Sequence, residues 1–200
     1  MQPIDFYFDF SSPYGYLASQ RIEALAKKHG RGVNWRPILL GVVFKETGAA
    51  PLTQVPIKGP YAKRDMERSA RFHGIDDFRM PSHFPIPTQA AARIVIALRQ
   101  RDPALAARVT HALYRAYFVD DIDISDPVNA LRVAALAGAD ENEMRAAIDD
   151  PAIKEALKRE VAHAIQAGVC GSPFMIVDGE PFWGLDRLDQ VDRWLARGGF

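Results

Sequence analysis

The stretch Ile4-Asp5-Phe6-Tyr7-Phe8-Asp9-Phe10, closed at once by Ser11-Ser12-Pro13, constrains this chain more than any other feature. Alternation with aromatic enrichment is a strand pattern, and it puts Ile4, Phe6, Phe8 and Phe10 on one face. Ser12 suits the N-cap of a following helix, because its oxygen can accept from an otherwise unpaired backbone N–H. Pro13 suits the first helical position, where no N–H is needed. The helix runs from about Tyr14 to Lys28, with Leu17, Ile22, Leu25 and Ala26 as its apolar positions, and stops at Gly30. Val33-Asn34-Trp35-Arg36-Pro37 reads as a second short strand. The chain therefore opens with a βαβ unit whose strands are expected to pair in parallel. Asp5 and Asp9 flank Tyr7 on the first strand's other face. Solvation at a sheet edge or a structural hydrogen bond is a more ordinary role there than tuning a site.

From about Pro51 to Gly59, proline, glycine and polar residues mark a loop, and helical periodicity then dominates from Tyr61 to Gly168. Asp102-Pro103, Asp126-Pro127 and Asp150-Pro151 repeat the cap-plus-proline device and mark helix starts. Ala90 to Leu98 is apolar nearly all round, as befits a helix at the buried centre of a helical domain. After Gly168 strand character returns with Phe174-Met175-Ile176-Val177, the turn pair Asp178-Gly179, and Glu180-Pro181-Phe182-Trp183. A last helix carries Leu188, Val191, Trp194 and Leu195 on one face. The order is βαβ, a helical block, then ββα. It predicts an α/β domain of about residues 1–50 and 169–200, interrupted by an all-α insertion of about residues 51–168, with the last helix of that block assignable to either part.

Charge and cysteine content narrow the function. Lys plus Arg and Asp plus Glu each number 25, so the formal net charge is zero. Such a chain has no bulk attraction to a phosphate backbone or an anionic lipid surface, and neither a nucleic-acid nor a membrane partner is expected. The start Met1-Gln2-Pro3-Ile4-Asp5 lacks the basic residues and apolar run of a secretory signal, so a cytoplasmic protein is the expectation. A single cysteine, Cys170, forbids an internal disulfide, a CxxC redox pair and a cysteine-rich zinc site. His29, His73, His111 and His163 lack ligand spacing. Asp120, Asp121, Asp123 and Asp126 lack the glycine and terminal glutamate of a calcium loop, so no metal is expected.

The order βαβ…ββα is that of the thioredoxin fold, in which a CxxC pair opens the first helix and a cis-proline precedes the third strand. Here Ser12-Pro13-Tyr14-Gly15 takes the first place and Ser172-Pro173 the second. With the helical insertion, the pattern resembles the DsbA-like superfamily. Within it, Asp5-Phe6-Tyr7-Phe8-Asp9-Phe10-Ser11-Ser12-Pro13-Tyr14, Gly171-Ser172-Pro173 and Phe182-Trp183-Gly184-Leu185-Asp186-Arg187-Leu188 resemble the 2-hydroxychromene-2-carboxylate isomerases. Those enzymes are relatives of kappa-class glutathione transferases. The resemblance implies a homodimeric, glutathione-dependent isomerase. Its substrate would be 2-hydroxychromene-2-carboxylate, trans-o-hydroxybenzylidenepyruvate or a related aromatic keto acid, handled by thiolate addition, bond rotation and elimination.

The same resemblance makes Ser12 the catalytic residue, holding the glutathione thiolate. A thiol with a pKa of about 8.5 is only a few per cent ionised at neutral pH, and lowering it by about two units takes roughly 2.7 kcal/mol. A hydrogen bond from Ser12 to a charged sulfur supplies about 1.5–3 kcal/mol, and a helix N-terminus adds about 0.3–1 kcal/mol. Ser172 and Pro173 would meet the cysteinyl part of glutathione, through the free main-chain N–H and C=O of Ser172. Trp183, Gly184, Leu185 and Asp186 would meet the γ-glutamyl end, where the start of the last helix can receive a carboxylate. Phe44, Lys45, Lys58, Tyr61, His83 and Phe84 are the candidate substrate contacts, with Lys45 and Lys58 rivals for its carboxylate.

Taken singly, Ser12 is an N-cap, Ser172-Pro173 a proline turn, Asp186 a helix cap and each aromatic a core residue. Their combination carries the reading. Two other functions fit the same residues: a kappa-like glutathione transferase or peroxidase, and a non-catalytic thioredoxin-fold binding protein. Cys170, two residues before Ser172, has as its ordinary role a small buried side chain.

Overall fold

The computed structural model describes residues 2–200. Strand β1 (Ile4–Phe8) leads into helix α1 (Pro13–Lys28) and strand β2 (Val33–Pro37), as the opening alternation predicts. Helices α2 (Leu40–Thr47), α3 (Lys58–Phe72), α4 (Gln89–Arg99), α5 (Pro103–Phe118), α6 (Pro127–Leu136), α7 (Glu141–Asp149) and α8 (Pro151–Gln166) follow. The hairpin β3 (Phe174–Val177) and β4 (Glu180–Trp183) and the helix α9 (Leu188–Arg197) complete the chain. At the three Asp-Pro starts the carboxylates of Asp102, Asp126 and Asp150 accept from the N–H of Leu105, Val128 and Ala152 at 2.7–2.9 Å. Those local caps are what the sequence signal encodes.

The strand order is β2-β1-β3-β4. β1 and β2 run parallel, with Ile4 opposite Val33 and Phe8 opposite Pro37, while β3 lies antiparallel to both β1 and β4. Asp178 and Gly179, with φ of 52° and 90°, make the tight turn between β3 and β4. This strand order, with its parallel and antiparallel pairs, is the one that the βαβ…ββα reading of the sequence predicts.

Because β1 is an interior strand, both of its faces are covered. Phe6, Phe8 and Phe10 pack with Leu17, Trp35 and Tyr114 on one side, with ring centroids 5.1 Å apart for Phe6–Trp35 and 5.0 Å for Phe10–Tyr114. Each such ring removed from water contributes about 1.5–3 kcal/mol. On the other side Tyr7 packs in a second core with Ile96 of α4, Val161 of α8 and Phe174. Helix α4 feeds both cores, which explains its nearly all-round apolar surface. Among the described residues, no helix is long and apolar enough to cross a membrane.

The structure refines three local readings. The stretch between Pro37 and Pro51, to which the sequence pattern assigns no element, forms α2 at Leu40–Thr47, closed by Gly48 in a left-handed conformation. The last helix does not start directly at Leu185, which instead opens a three-residue 3-10 turn, Leu185–Arg187, before α9. Of the two ordinary roles for Asp9, the structure has the structural hydrogen bond and not the solvated sheet edge: the residue is 3% exposed, because an interior strand delivers it beneath α2 and α4.

Candidate functional site

A cleft of about 1530 Å³ opens where β1 hands over to α1. Its walls are the 9–14 turn, α2, one side of α3, the proline-rich segment 84–89, the 170–173 segment and residues 183–189. The residues at its head are held by a short chain of hydrogen bonds. Ser12 is the N-cap of α1, and its Oγ accepts from the Gly15 N–H at 3.0 Å. The same hydroxyl donates to the main-chain carbonyl of Ser172 at 2.8 Å, across 160 residues of chain. Ser172 Oγ accepts in turn from the Asp9 N–H at 3.1 Å, and the Ser172–Pro173 bond is cis.

The Ser172 carbonyl, an expected contact for an incoming peptide, already accepts from the Ser12 hydroxyl, which leaves one of its two lone-pair sites open. An O–H at an N-cap needs an acceptor when buried, and the carbonyl before the cis-proline is the one within reach.

Gly15 is the last residue of the Ser-Pro-Tyr-Gly stretch, where any side chain would collide. A Cβ there would lie 2.7 Å from the Tyr114 hydroxyl and 2.8 Å from Ser172 Oγ. Tyr114 comes from α5 and donates to the carbonyl of Asp9 at 3.0 Å. Tyr14, further along the wall, donates to Asp65 of α3 at 2.7 Å, and its phenol is pushed above the usual range by burial and that carboxylate. Burial pushes the Asp9 carboxyl up to about 6, against the pull of three hydrogen bonds from Leu40, Ser11 and Thr88.

Ten of the sequence-predicted residues line this one cleft: Ser12, Phe44, Lys45, Phe84, Ser172, Pro173, Trp183, Gly184, Leu185 and Asp186. Lys45 reaches it from α2 and forms no ion pair among the described residues. Trp183 lies against Gly171, which leaves no room for a Cβ there. Asp186 is mostly exposed and sits 3.1 Å from Arg187.

Lys58, Tyr61 and His83 are outside the cleft walls. The inward face of α3 is Ala62, Met66 and Ala70, which turns Lys58 and Tyr61 outward, with Arg68 stacked over the Tyr61 ring at 5.6 Å. His83 has its carbonyl held by the Tyr117 hydroxyl at 2.7 Å, while its imidazole faces solvent and Asp123. Cys170 lines the cleft and is half-buried, and burial pushes its thiol up. Among the described residues, no three His, Cys, Asp or Glu side chains gather where they could hold a metal ion.

Asp9, Thr88 and Tyr114 were not singled out as site residues from sequence. The available signal was an acidic residue at the end of an aromatic strand with a helix start just beyond it. What could not be read was that β1 would be interior.

Residues 3–196 match the model of the DSBA-like thioredoxin domain family. The chain is 31% identical over 195 residues to the 2-hydroxychromene-2-carboxylate isomerase of Sphingobium xenophagum, covering 96% of this chain and 97% of that protein. It is 24% identical over 214 residues to glutathione S-transferase kappa 1 of Homo sapiens, covering 96% and 92% respectively. Among solved structures, a selenomethionine 2-hydroxychromene-2-carboxylate isomerase superposes with a TM-score of 0.86 at 27% identity. That superposition covers 98% of this chain and 95% of the other.

Proposed function

This chain belongs to the DSBA-like thioredoxin domain family and is akin to the 2-hydroxychromene-2-carboxylate isomerases, and from that premise we propose that it is a glutathione-dependent isomerase of an aromatic keto acid or hydroxychromene carboxylate. The observation that carries the reading is the meeting of the Ser12 hydroxyl and the Ser172 carbonyl at the head of a large cleft. A hydroxyl donor at a helix start beside a main-chain carbonyl suits a thiol-bearing peptide in extended form, and the cleft has room for it and for an aromatic acid. The name of the human relative points to glutathione as that peptide.

Bound glutathione would supply a nucleophilic thiolate that adds to the acceptor's conjugated double bond, permits rotation and leaves again unchanged. Ser12 would turn its O–H from the Ser172 carbonyl towards the sulfur. That exchanges a neutral hydrogen bond of about 0.5–1.5 kcal/mol for one to a charged group of about 1.5–3 kcal/mol. Ser172 would then offer its released carbonyl to an N–H of the bound peptide, with Pro173 beneath. Trp183, Gly184, Leu185 and Asp186 would border the γ-glutamyl end. Lys45 would face the substrate carboxylate, with Phe44 and Phe84 flanking its ring. The same reading keeps residues 1–50 and 169–200 as the thioredoxin-like part and 51–168 as the insertion, in a cytoplasmic homodimer.

Calorimetric titration with glutathione, followed by an ultraviolet assay on 2-hydroxychromene-2-carboxylate, tests it. Binding, with turnover and no net loss of glutathione, is the expected result. Turnover that consumes glutathione would favour the kappa-like transferase reading, which the kappa relatives support. No binding at millimolar glutathione would remove both and leave a binding module.

A further inference from the structure

Three helices begin around one buried carboxylate. Asp9 Oδ1 accepts from the Ser11 N–H at 2.7 Å and from the Thr88 hydroxyl at 3.2 Å. Its Oδ2 accepts from the Leu40 N–H at 2.7 Å. Ser11 precedes the cap of α1, Leu40 is the first residue of α2, and Thr88 is the N-cap of α4. Neither α2 nor α4 has a side-chain cap of its own, so Asp9 serves α2 as a cap from 31 residues upstream. A carboxylate facing helix starts also meets the positive ends of their dipoles.

The main chain of Asp9 is fully engaged too. Its N–H donates to Ser172 Oγ, and its carbonyl accepts from the Ser12 N–H at 2.9 Å and the Tyr114 hydroxyl at 3.0 Å. The titratable groups facing it are Tyr114 and Tyr117, both on α5, and no lysine or arginine is among its bonding partners.

We propose that Asp9 is a positioning residue of this site. Its carboxylate holds the turn carrying Ser12, the helix carrying Phe44 and Lys45, and the segment following Phe84 at one fixed spacing. The catalytic consequence rests on the glutathione-isomerase reading; the tie itself does not. An amide cannot replace the carboxylate, because it has one accepting oxygen and one donating nitrogen. Either the Ser11 or the Leu40 N–H would then face another donor.

The test compares the wild-type chain with Asp9→Asn and the milder Thr88→Val, which removes one of the three side-chain bonds. Hydrogen exchange is followed in segments 10–14 and 38–44, and thiolate absorbance of bound glutathione is followed against pH. Turnover of 2-hydroxychromene-2-carboxylate supplies kcat and KM. Asp9→Asn is expected to speed exchange in one or both segments by about ten-fold, with the β3–β4 hairpin unchanged. It should also raise the thiol pKa of bound glutathione, and raise KM for the carboxylate by a larger factor than it lowers kcat. Thr88→Val should move the same readings in the same direction by less.

Wild-type exchange in both segments, or an equal rise throughout the fold, overturns the proposal. So does an unchanged thiol pKa with both segments loosened, since that leaves Asp9 a purely structural role. If the wild-type chain does not bind glutathione, the isomerase reading falls and the exchange data alone decide the tie. If Asp9→Asn does not fold, Thr88→Val carries the test, and unaltered exchange there overturns it.

Discussion

The Tyr114 hydroxyl stands 2.7 Å from where the Cβ of any larger residue at position 15 would begin. In a thioredoxin-type CxxC pair the second thiol would occupy that position. A side chain at that position would thus have to displace the Tyr114 and Ser172 hydroxyls. Gly15 lets Tyr114 reach the carbonyl of Asp9, and that contact lies directly beneath Ser12.

Gly15→Ala should destabilise the fold by about 1–3 kcal/mol, the usual range for forcing atoms into a filled interior. Chemical denaturation would measure it. Tyr114→Phe removes the oxygen in the way, so the double variant should lose less than the sum of the two single losses. Simple additivity would show that residue 15 and the hydroxyl do not compete for this space.

Replacing Ser12 by Ala removes both the cap on Gly15 and the donor to Ser172. Loss of the cap alone is expected to cost about 1 kcal/mol of stability. Turnover at saturating glutathione should fall about ten- to hundred-fold, the equivalent of one hydrogen bond to a charged sulfur. Should steady-state rates match the parent, Ser12 has no part in the chemistry.

Asp9 gives a signed pH dependence. Burial holds its carboxyl at about 6 against an ordinary 3.8, so between those values the folded chain keeps a proton that the unfolded chain has released. Stability attributable to Asp9 therefore falls as pH rises from about 4 to about 6 and is flat on either side. Relative to Asp9→Asn, the wild-type chain should gain up to roughly 3 kcal/mol on acidification from pH 7 to 4. Denaturation curves across that range would measure it, and a gap between the two proteins that does not change with pH would contradict it.

Two lysines can be told apart by kinetics. Lys45 lines the cleft and Lys58 does not. Lys45→Met should raise KM for the carboxylate substrate about ten-fold, as expected for one lost charge-assisted contact, with kcat largely kept. Lys58→Met should leave both constants at parent values. The reverse pattern would transfer the carboxylate contact to Lys58.

What could be read from the chain was what is encoded locally. The alternation of β1, the Ser12-Pro13 cap and the three Asp-Pro starts each carry their physical cause within a few residues, as does the Asp178-Gly179 turn. Helix α2 was not legible because its cap is Asp9, on another element. The burial of Asp9 was equally hidden, since it depends on β1 lying between β2 and β3. Within the cleft, residues adjoining strand ends were legible, because strand ends converge on one place. Tyr61 and His83 were not, because the side that faces the cleft is set by how α3 and the 80–87 loop pack against the rest.

The two outermost strands of the sheet, β2 and β4, each contain a proline, Pro37 and Pro181, whereas the inner strands β1 and β3 contain none. A proline cannot donate to a further strand, and in β4 it follows an exposed Glu180 on a strand of only four residues. The sheet is thus a poor template for growth by strand addition, which guards a chain rich in aromatic β-formers against fibrous aggregation.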